Sequence, residues 1–235
     1  MKNIKICDRT LNNGLHAFEP EVKAEIYRQL QKAGIDWIDC DDELSPINCI
    51  RTNADYAISE LIAHGTNVIF EPENLSLMDD REVLDLFEQV AEVYPFGFTL
   101  AGYWNFDDVN NMQRIALLAD KHLPKEVALG LKPIDHLQMT MSLALKFIEL
   151  PITRRQLYLE SSLVGFGEGG LLHTEVLAKL MNKDMPEVRY KLDDIPAVIV
   201  KHIAPRAGQY HWGYGISNLM QLEAIKAESK GVFET

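Results

Sequence analysis

The chain is 235 residues long, 47% hydrophobic and 25% charged, a balance that excludes a disordered tail and allows one large domain. Its 23 Lys and Arg stand against 35 Asp and Glu, and the net charge of −12 argues against nucleic acid or an anionic membrane surface as main partner. No apolar run reaches the roughly 18 residues that span a bilayer, and the three cysteines (Cys7, Cys40, Cys49), in no disulfide or zinc spacing, read as reduced thiols of a cytoplasmic protein.

Strands and helices alternate from the start. Lys5 to Asp8 reads as a short strand. Pro20 to Ala33 reads as a helix, with Val22, Ile26, Leu30 and Ala33 on one face and Gly34 to stop it. Ile35 to Cys40 is the next strand, and Ile47 to Arg51 a weaker one. Ala54 to Ala63 is helical and Thr66 to Phe70 a strand. Arg81 to Tyr94 (helix), Phe96 to Ala101 (strand), Asn111 to Leu123 (helix) and Val127 to Leu131 (strand) continue the rhythm. His136 to Leu150 (helix), Gln156 to Leu163 (strand) and Thr174 to Met181 (helix) complete it, and from Leu192 onward only helices and a Trp/Tyr-rich turn are expected. The spacing predicts parallel βα units. A doubly wound sheet and a closed barrel both satisfy it.

In either architecture function gathers beyond the carboxyl ends of the strands. Those positions carry Asp8 and Arg9 with Asn12, Asn13 and His16; Asp39 to Glu43; Arg51; Glu71 and Glu73; Tyr103 and Trp104; Lys132 with Asp135 and His136; and Glu160. Packing alone favours Val, Ile or Leu at strand ends. Any one of these residues is explained as a cap or a solvated loop side chain, with Asp135 a helix cap and His16 as readily a loop histidine as an acid–base group. As a set they converge on one rim. Gly165 to Gly170 looks like an anion-cradling loop, but it lacks the Lys-Ser/Thr of a P-loop and carries Glu168, so a tight turn explains it equally well.

Asp8-Arg9-Thr10-Leu11-Asn12-Asn13-Gly14 resembles the D-x-T-L-R-D-G signature of the metal-dependent lyase and aldolase barrels, which include HMG-CoA lyase, isopropylmalate synthase and 4-hydroxy-2-oxovalerate aldolase. Leu129 to Gln138 is similar to the family's I-G-F-H-S-H-N-N-L-Q, Glu160 to Glu175 to its D-A-S-L-Y-G-M-G-R-G-A-G-N-x-P-T-E, and Trp212 to Gly215 to a W-G-Y-S turn. The likeness runs through most of the chain in order. It implies a TIM-type α/β barrel over residues 1–190, with a C-terminal helical segment over 191–235 packed on it. Compared with the family it resembles, about one βα unit is missing between Cys40 and Ile47, which predicts a shortened barrel with an edge to be covered by a second copy or a partner enzyme.

The resemblance also implies a divalent ion, held by the signature Asp, a His-x-His pair and a loop Asn. Here Asn13 stands for the Asp, Lys132 and Ile134 for the two His, and the loop Asn has no counterpart; Asn12 replaces the signature Arg. An amide is a poor substitute for a carboxylate, Ile has no donor atom, and an ammonium cannot ligate. The expectation is a site with neither metal nor cofactor.

Lys132, Asp8, His16 and Glu71 are the candidate catalytic residues. Arg9, Asn12, Asn13, Asp39, Arg51, Tyr103 and Trp104 are the candidate substrate-binding ones. A lysine in a partly dry pocket loses proton affinity and attacks carbonyls; equally, Lys132 offsets the carboxylates around it or holds a substrate acid group. Two functions follow: a divergent aldolase or carbon–carbon lyase acting on a small oxo-acid, or a catalytically silent barrel that serves as a binding or partner subunit. A metal site rebuilt from His16, His136 and Asp41 or Asp42 is the third, without ligand spacing to support it.

Overall fold

The computed structural model describes residues 4–12, 18–35, 37–40, 50–52, 59, 63, 67–72, 75–102, 109–133, 140–166, 171–184 and 190–203. In chain order the elements are β1 (Ile4–Asp8), α1 (Pro20–Ala33), β2 (Trp37–Ile38), β3 (Ile50–Thr52), β4 (Val68–Phe70), α2 (Asp80–Val93), β5 (Gly97–Gly102), α3 (Val109–His122), β6 (Ala128–Pro133), α4 (Thr140–Glu149), β7 (Leu157–Ser162), β8 (Leu172–His173), α5 (Thr174–Asp184) and α6 (Ile195–Val198), which runs on into a wider helical turn at Ile199–Ile203. Helix boundaries follow local chemistry. Pro20 opens α1, and Gly34, at φ 82°, closes it by returning its N–H to Leu30 and Gln31. Asp79 and Glu82 cap each other's backbone N–H groups at the start of α2.

All the strands pair in parallel, in the order β2-β1-β7-β6-β5-β4-β3, with β8 attached to the last two residues of β7. This is the sequential order of a βα barrel with an opening between β2 and β3; among the described residues no ladder joins those two. The opening coincides with the place where the sequence lacks a βα unit. The sheet is strongly curled. Trp37 of β2 and Phe96, just before β5, lie four strand positions apart, about 19 Å along a flat sheet, yet their ring centroids are 4.8 Å apart across the lumen. The architecture is therefore α/β, a parallel sheet curled into a partial barrel with helices outside.

Strand alternation sorts the residues into two apolar layers. Ile4, Ile6, Leu129, Leu131, Leu157 and Leu159 face the helices and join Ile26, Leu30, Phe87, Ile115 and Phe147 in the main core. Cys7, Trp37, Ile69, Ala128 and Tyr158 face the lumen and form a separate cluster. Tyr158 fills that floor because β5 and β6 give it room: a Cβ on Gly130 would lie 2.1 Å from its ring, and one on Gly97 3.1 Å from its hydroxyl. Below the sheet Arg155 is buried and donates to the carbonyls of Ala119, Leu123, Pro124 and Val127, closing the orphan end of α3 against β6.

The weak strand expected at Ile47 to Arg51 is present as β3. The two-residue β8 was not expected; it is too short to show alternation. The helix expected at Ala54 to Ala63 lies outside the described residues except for positions 59 and 63, as do residues 136–139 of the helix expected from His136, and the Trp212 turn. Residues 190–203 pack on α1, with the Lys191 N–H on the Ala33 carbonyl and Lys201 on Glu25. No described helix is long and apolar enough to cross a membrane. Cys7 and Cys40 are buried and in no disulfide.

Gly130→Ala is expected to lower stability by about 1–3 kcal/mol, the usual range for overpacking, because the new methyl meets the Tyr158 ring. Urea unfolding of the variant measures it.

Candidate active site

Above the Tyr158 floor the same lumen-facing alternation places Arg9, Asp39, Glu71, Thr99, Lys132 and Glu160. Arg9 and Asp39 extend the ladder beyond β1 and β2, their N–H groups donating to Ser161 and Asp8 carbonyls at 2.8 Å each. The Arg9 guanidinium is the hub. Its Nη1 lies 3.2 Å from Glu160 Oε2 and 3.5 Å from Glu71 Oε2, and its Nε 3.5 Å from Asp39 Oδ2. Asn12 Nδ2 donates to the other Asp39 oxygen at 3.1 Å. The Lys132 ammonium pairs with Glu71 Oε1.

Glu160 has a second chain of partners. Thr99 Oγ1 donates to Glu160 Oε1 at 2.8 Å and lies 2.6 Å from the Tyr158 hydroxyl. Thr99 has one proton to give, so Tyr158 donates to Thr99. The floor and the ion-pair layer are thus one hydrogen-bonded unit. Asp39 and Glu160 are fully buried, while Lys132 and Glu71 are each 17% exposed and form the wetter side.

Among the described lumen residues three carboxylates face two cations. Burial pushes the Lys132 ammonium below its usual pKa, and the positive charge of Arg9 pushes it the same way; Glu71 and Glu160 pull it back up. A lysine so placed exchanges its proton with Glu71 more readily than a surface lysine does.

Asp8 is not part of this group. It shares the helix-facing side of β1 with Ile4 and Ile6, where Thr10 N–H donates to it at 2.9 Å and Thr174 Oγ1 at 2.5 Å. Ser161 Oγ, 2.7 Å from Thr174 Oγ1, completes the chain by donating to Thr174. Asp8 therefore ties β1 and β7 to the start of α5. Its carboxyl is pushed up to about 6, mainly by burial and also by the charge of Glu175, against the hydrogen bonds from Thr174 and Thr10.

The structure thus gathers six of the residues singled out in the sequence: Lys132, Glu71, Arg9, Asp39, Asn12 and Glu160. It sets Asp8 apart. Asn13, His16, Tyr103 and Trp104 lie outside the described residues, as does the side chain of Arg51, whose backbone is in β3. Sequence reasoning missed Thr99 and Tyr158 and gave Glu160 no role. All three sit inside strands, and the available signal was the shared parity of Tyr158 and Glu160 opposite the glycines at 97 and 130.

The chain matches no protein-family model and no curated protein sequence. It does resemble solved structures. An HMG-CoA lyase from Acinetobacter baumannii, solved with coenzyme A and 3-methylmalate, superposes with a TM-score of 0.61 at 13% identity, covering 86% of this chain and 94% of that one. The HMG-CoA lyase of Bacillus subtilis gives 0.56 at 13%, covering 84% and 92%. The N-terminal domain of a candidate aldolase from Bacteroides vulgatus gives 0.54 at 17%, covering 98% and 73%. The fold is that of the lyase and aldolase barrels.

Two stability tests follow. Arg9→Met strands buried Asp39 and Glu160 without their cation and is expected to cost about 3–5 kcal/mol, as for breaking other buried ion pairs; denaturant unfolding reads it. For Asp8 the folded state holds the proton more tightly than the unfolded chain. Its favourable contribution is full below about pH 4 and is lost as pH rises to about 6. Relative to Asp8→Asn, the wild type is expected to lose on the order of 2–3 kcal/mol between pH 4 and pH 7, measured by urea unfolding of both proteins at each pH.

Proposed function

We propose that this chain is a divergent aldolase or carbon–carbon lyase that acts on a small oxo-acid through an imine at Lys132. The observation that carries the reading is the position of that amine: on the lumen face at the mouth of a lyase-like barrel, largely buried and paired with one carboxylate. Glu71 takes the ammonium proton. The free amine then adds to the substrate carbonyl, and the resulting carbinolamine loses water with the proton returned from Glu71; the iminium accepts the electron pair as the bond between its α- and β-carbons breaks, Glu71 takes the proton of the β-hydroxyl that becomes the released carbonyl, and it returns that proton to the enamine carbon. Hydrolysis restores the lysine. Arg9 is the candidate partner for the acid group.

Among the described residues the lumen does not fit the divalent ion that the family resemblance implies, and the His16, His136, Asp41 and Asp42 of a rebuilt metal site lie outside the described residues. Arg9 and Lys132 stand among Asp39, Glu71 and Glu160, so the carboxylates are already turned to fixed cations. Among the described residues no three His, Cys, Asp or Glu side chains come together as a metal-binding set. An iminium supplies the electron sink by organic means.

Incubation with pyruvate and a panel of other small oxo-acids, followed by borohydride, is expected to fix an adduct on Lys132 detectable by peptide mass spectrometry and absent in Lys132→Met. The trapping rate should rise with pH as the amine loses its proton. In Glu71→Gln that rise should move to lower pH, because a charge that holds the ammonium together has gone, and the plateau should fall about tenfold or more with the proton acceptor. A panel that yields no Lys132-dependent adduct would leave the silent-barrel reading in its place.

A further inference from the structure

We propose that the Ser162 hydroxyl is the hydrogen-bond donor to the carbonyl oxygen of the compound that reacts at Lys132, holding that oxygen as it becomes the carbinolamine hydroxyl; this rests on the imine reading above. Ser162 ends β7 and is fully buried, and its Oγ has no hydrogen-bond partner. The neighbouring Ser161, on the helix side of the strand, is fully engaged with Thr174. Two adjacent serines at one strand end therefore differ: one is used by the fold and the other is not. A hydroxyl buried without a partner lowers stability, and alanine would fill the same place without that loss.

Position says what the hydroxyl serves. By strand alternation Ser162 faces the lumen with Tyr158 and Glu160. The β6–β7 register pairs Leu131 with Leu159, which sets Lys132 level with Glu160, and Ser162 is the next lumen-facing position toward the mouth on the adjoining strand. The proposal turns the carbonyl oxygen of a compound bonded to Lys132 Nζ toward that position on the neighbouring strand. The backbone beyond Ser162 is held from two sides: Leu163 N–H donates to Thr10 Oγ1 at 2.8 Å and Val164 N–H to Glu175 Oε2 at 3.1 Å. These bonds keep Val164 in the left-handed region at φ 56°, where a β-branched residue is strained. The serine is thus fixed in advance, and a donor held in place where an alkoxide develops needs no reorganisation as the charge forms.

The step balances with Ser162 as a donor only. The N–C bond forms from the amine lone pair, the carbonyl π pair moves to oxygen, and the proton that oxygen gains comes from Glu71, which took it from Lys132. A second proton passed by the same route releases water and leaves the C=N bond. Ser162 keeps its own proton throughout.

The test uses the full chain, pyruvate as probe and borohydride trapping at Lys132. Ser162→Ala is expected to lower the saturating trapping rate by about 10²-fold, the scale for loss of one such donor, while the pH profile stays where Lys132 sets it and the thermal midpoint stays level or rises. That pairing of slower chemistry with undiminished stability is what a merely structural serine would not give. If the wild type is trapped and Ser162→Ala is trapped equally fast, or loses thermal stability in step with rate, the assignment of Ser162 is wrong and the imine reading stands. If the wild type forms no adduct at Lys132, the imine reading falls and this inference falls with it.

Discussion

The Arg9 guanidinium lies within ion-pair reach of Asp39, Glu71 and Glu160, carboxylates carried by the ends of β2 and β4 and by β7. β1 and β4 are four positions apart in the sheet, so this contact exists only because the sheet curls. The dependence also runs the other way. Two of the three carboxylates have no access to water, and buried anions are tolerated only beside a cation. The curl and the charge cluster therefore require each other. A flatter sheet would strand the carboxylates, and a neutral residue at position 9 would leave the lumen with repelling charges.

That constraint sets the chemistry available at Lys132. Arg9 pairs with Asp39 and Glu160, and Glu71 is shared between Arg9 and Lys132. At Lys132 burial and the nearby guanidinium both favour the neutral amine, and the Glu71 carboxylate that pairs with it pulls the other way. The floor beneath it is rigid. Tyr158 lies over Gly130 and passes its hydrogen bond through Thr99 to Glu160, so the orientation of the carboxylate that faces Arg9 is fixed by an aromatic ring packed between strands.

A second layer of polar residues uses the opposite face of the same strand ends. Asp8 and Ser161 meet at Thr174, one residue away in sequence from Arg9 and Ser162 respectively. One face of each strand end fastens the sheet to α5 and the other addresses the lumen. Paired polar residues at strand ends thus serve two purposes separated by a single peptide unit, and the burial of Asp8 makes its role one of attachment, with a proton bound more firmly in the folded state than in the unfolded chain.

The sequence by itself determined the succession of strands and helices, the parallel pairing that such a succession requires, and the polar strand ends. These are local signals: caps such as Pro20 and Gly34, periodicity, and residue types that packing would not choose. It also marked Lys132, Glu71, Arg9, Asp39 and Asn12 as belonging to one rim. It did not assign the face of each strand. In a parallel strand buried on both sides, apolar residues occupy both faces, so nothing in Ile4 to Arg9 says whether Asp8 or Arg9 turns inward. Only the closing curvature of the sheet decided that, and with it the separation of Asp8 from the ion-pair cluster, the recruitment of Thr99 and Tyr158 from strand interiors, and the unpaired hydroxyl of Ser162. Each of these depends on residues distant in the chain meeting across a lumen, and a one-residue change of face reverses them all.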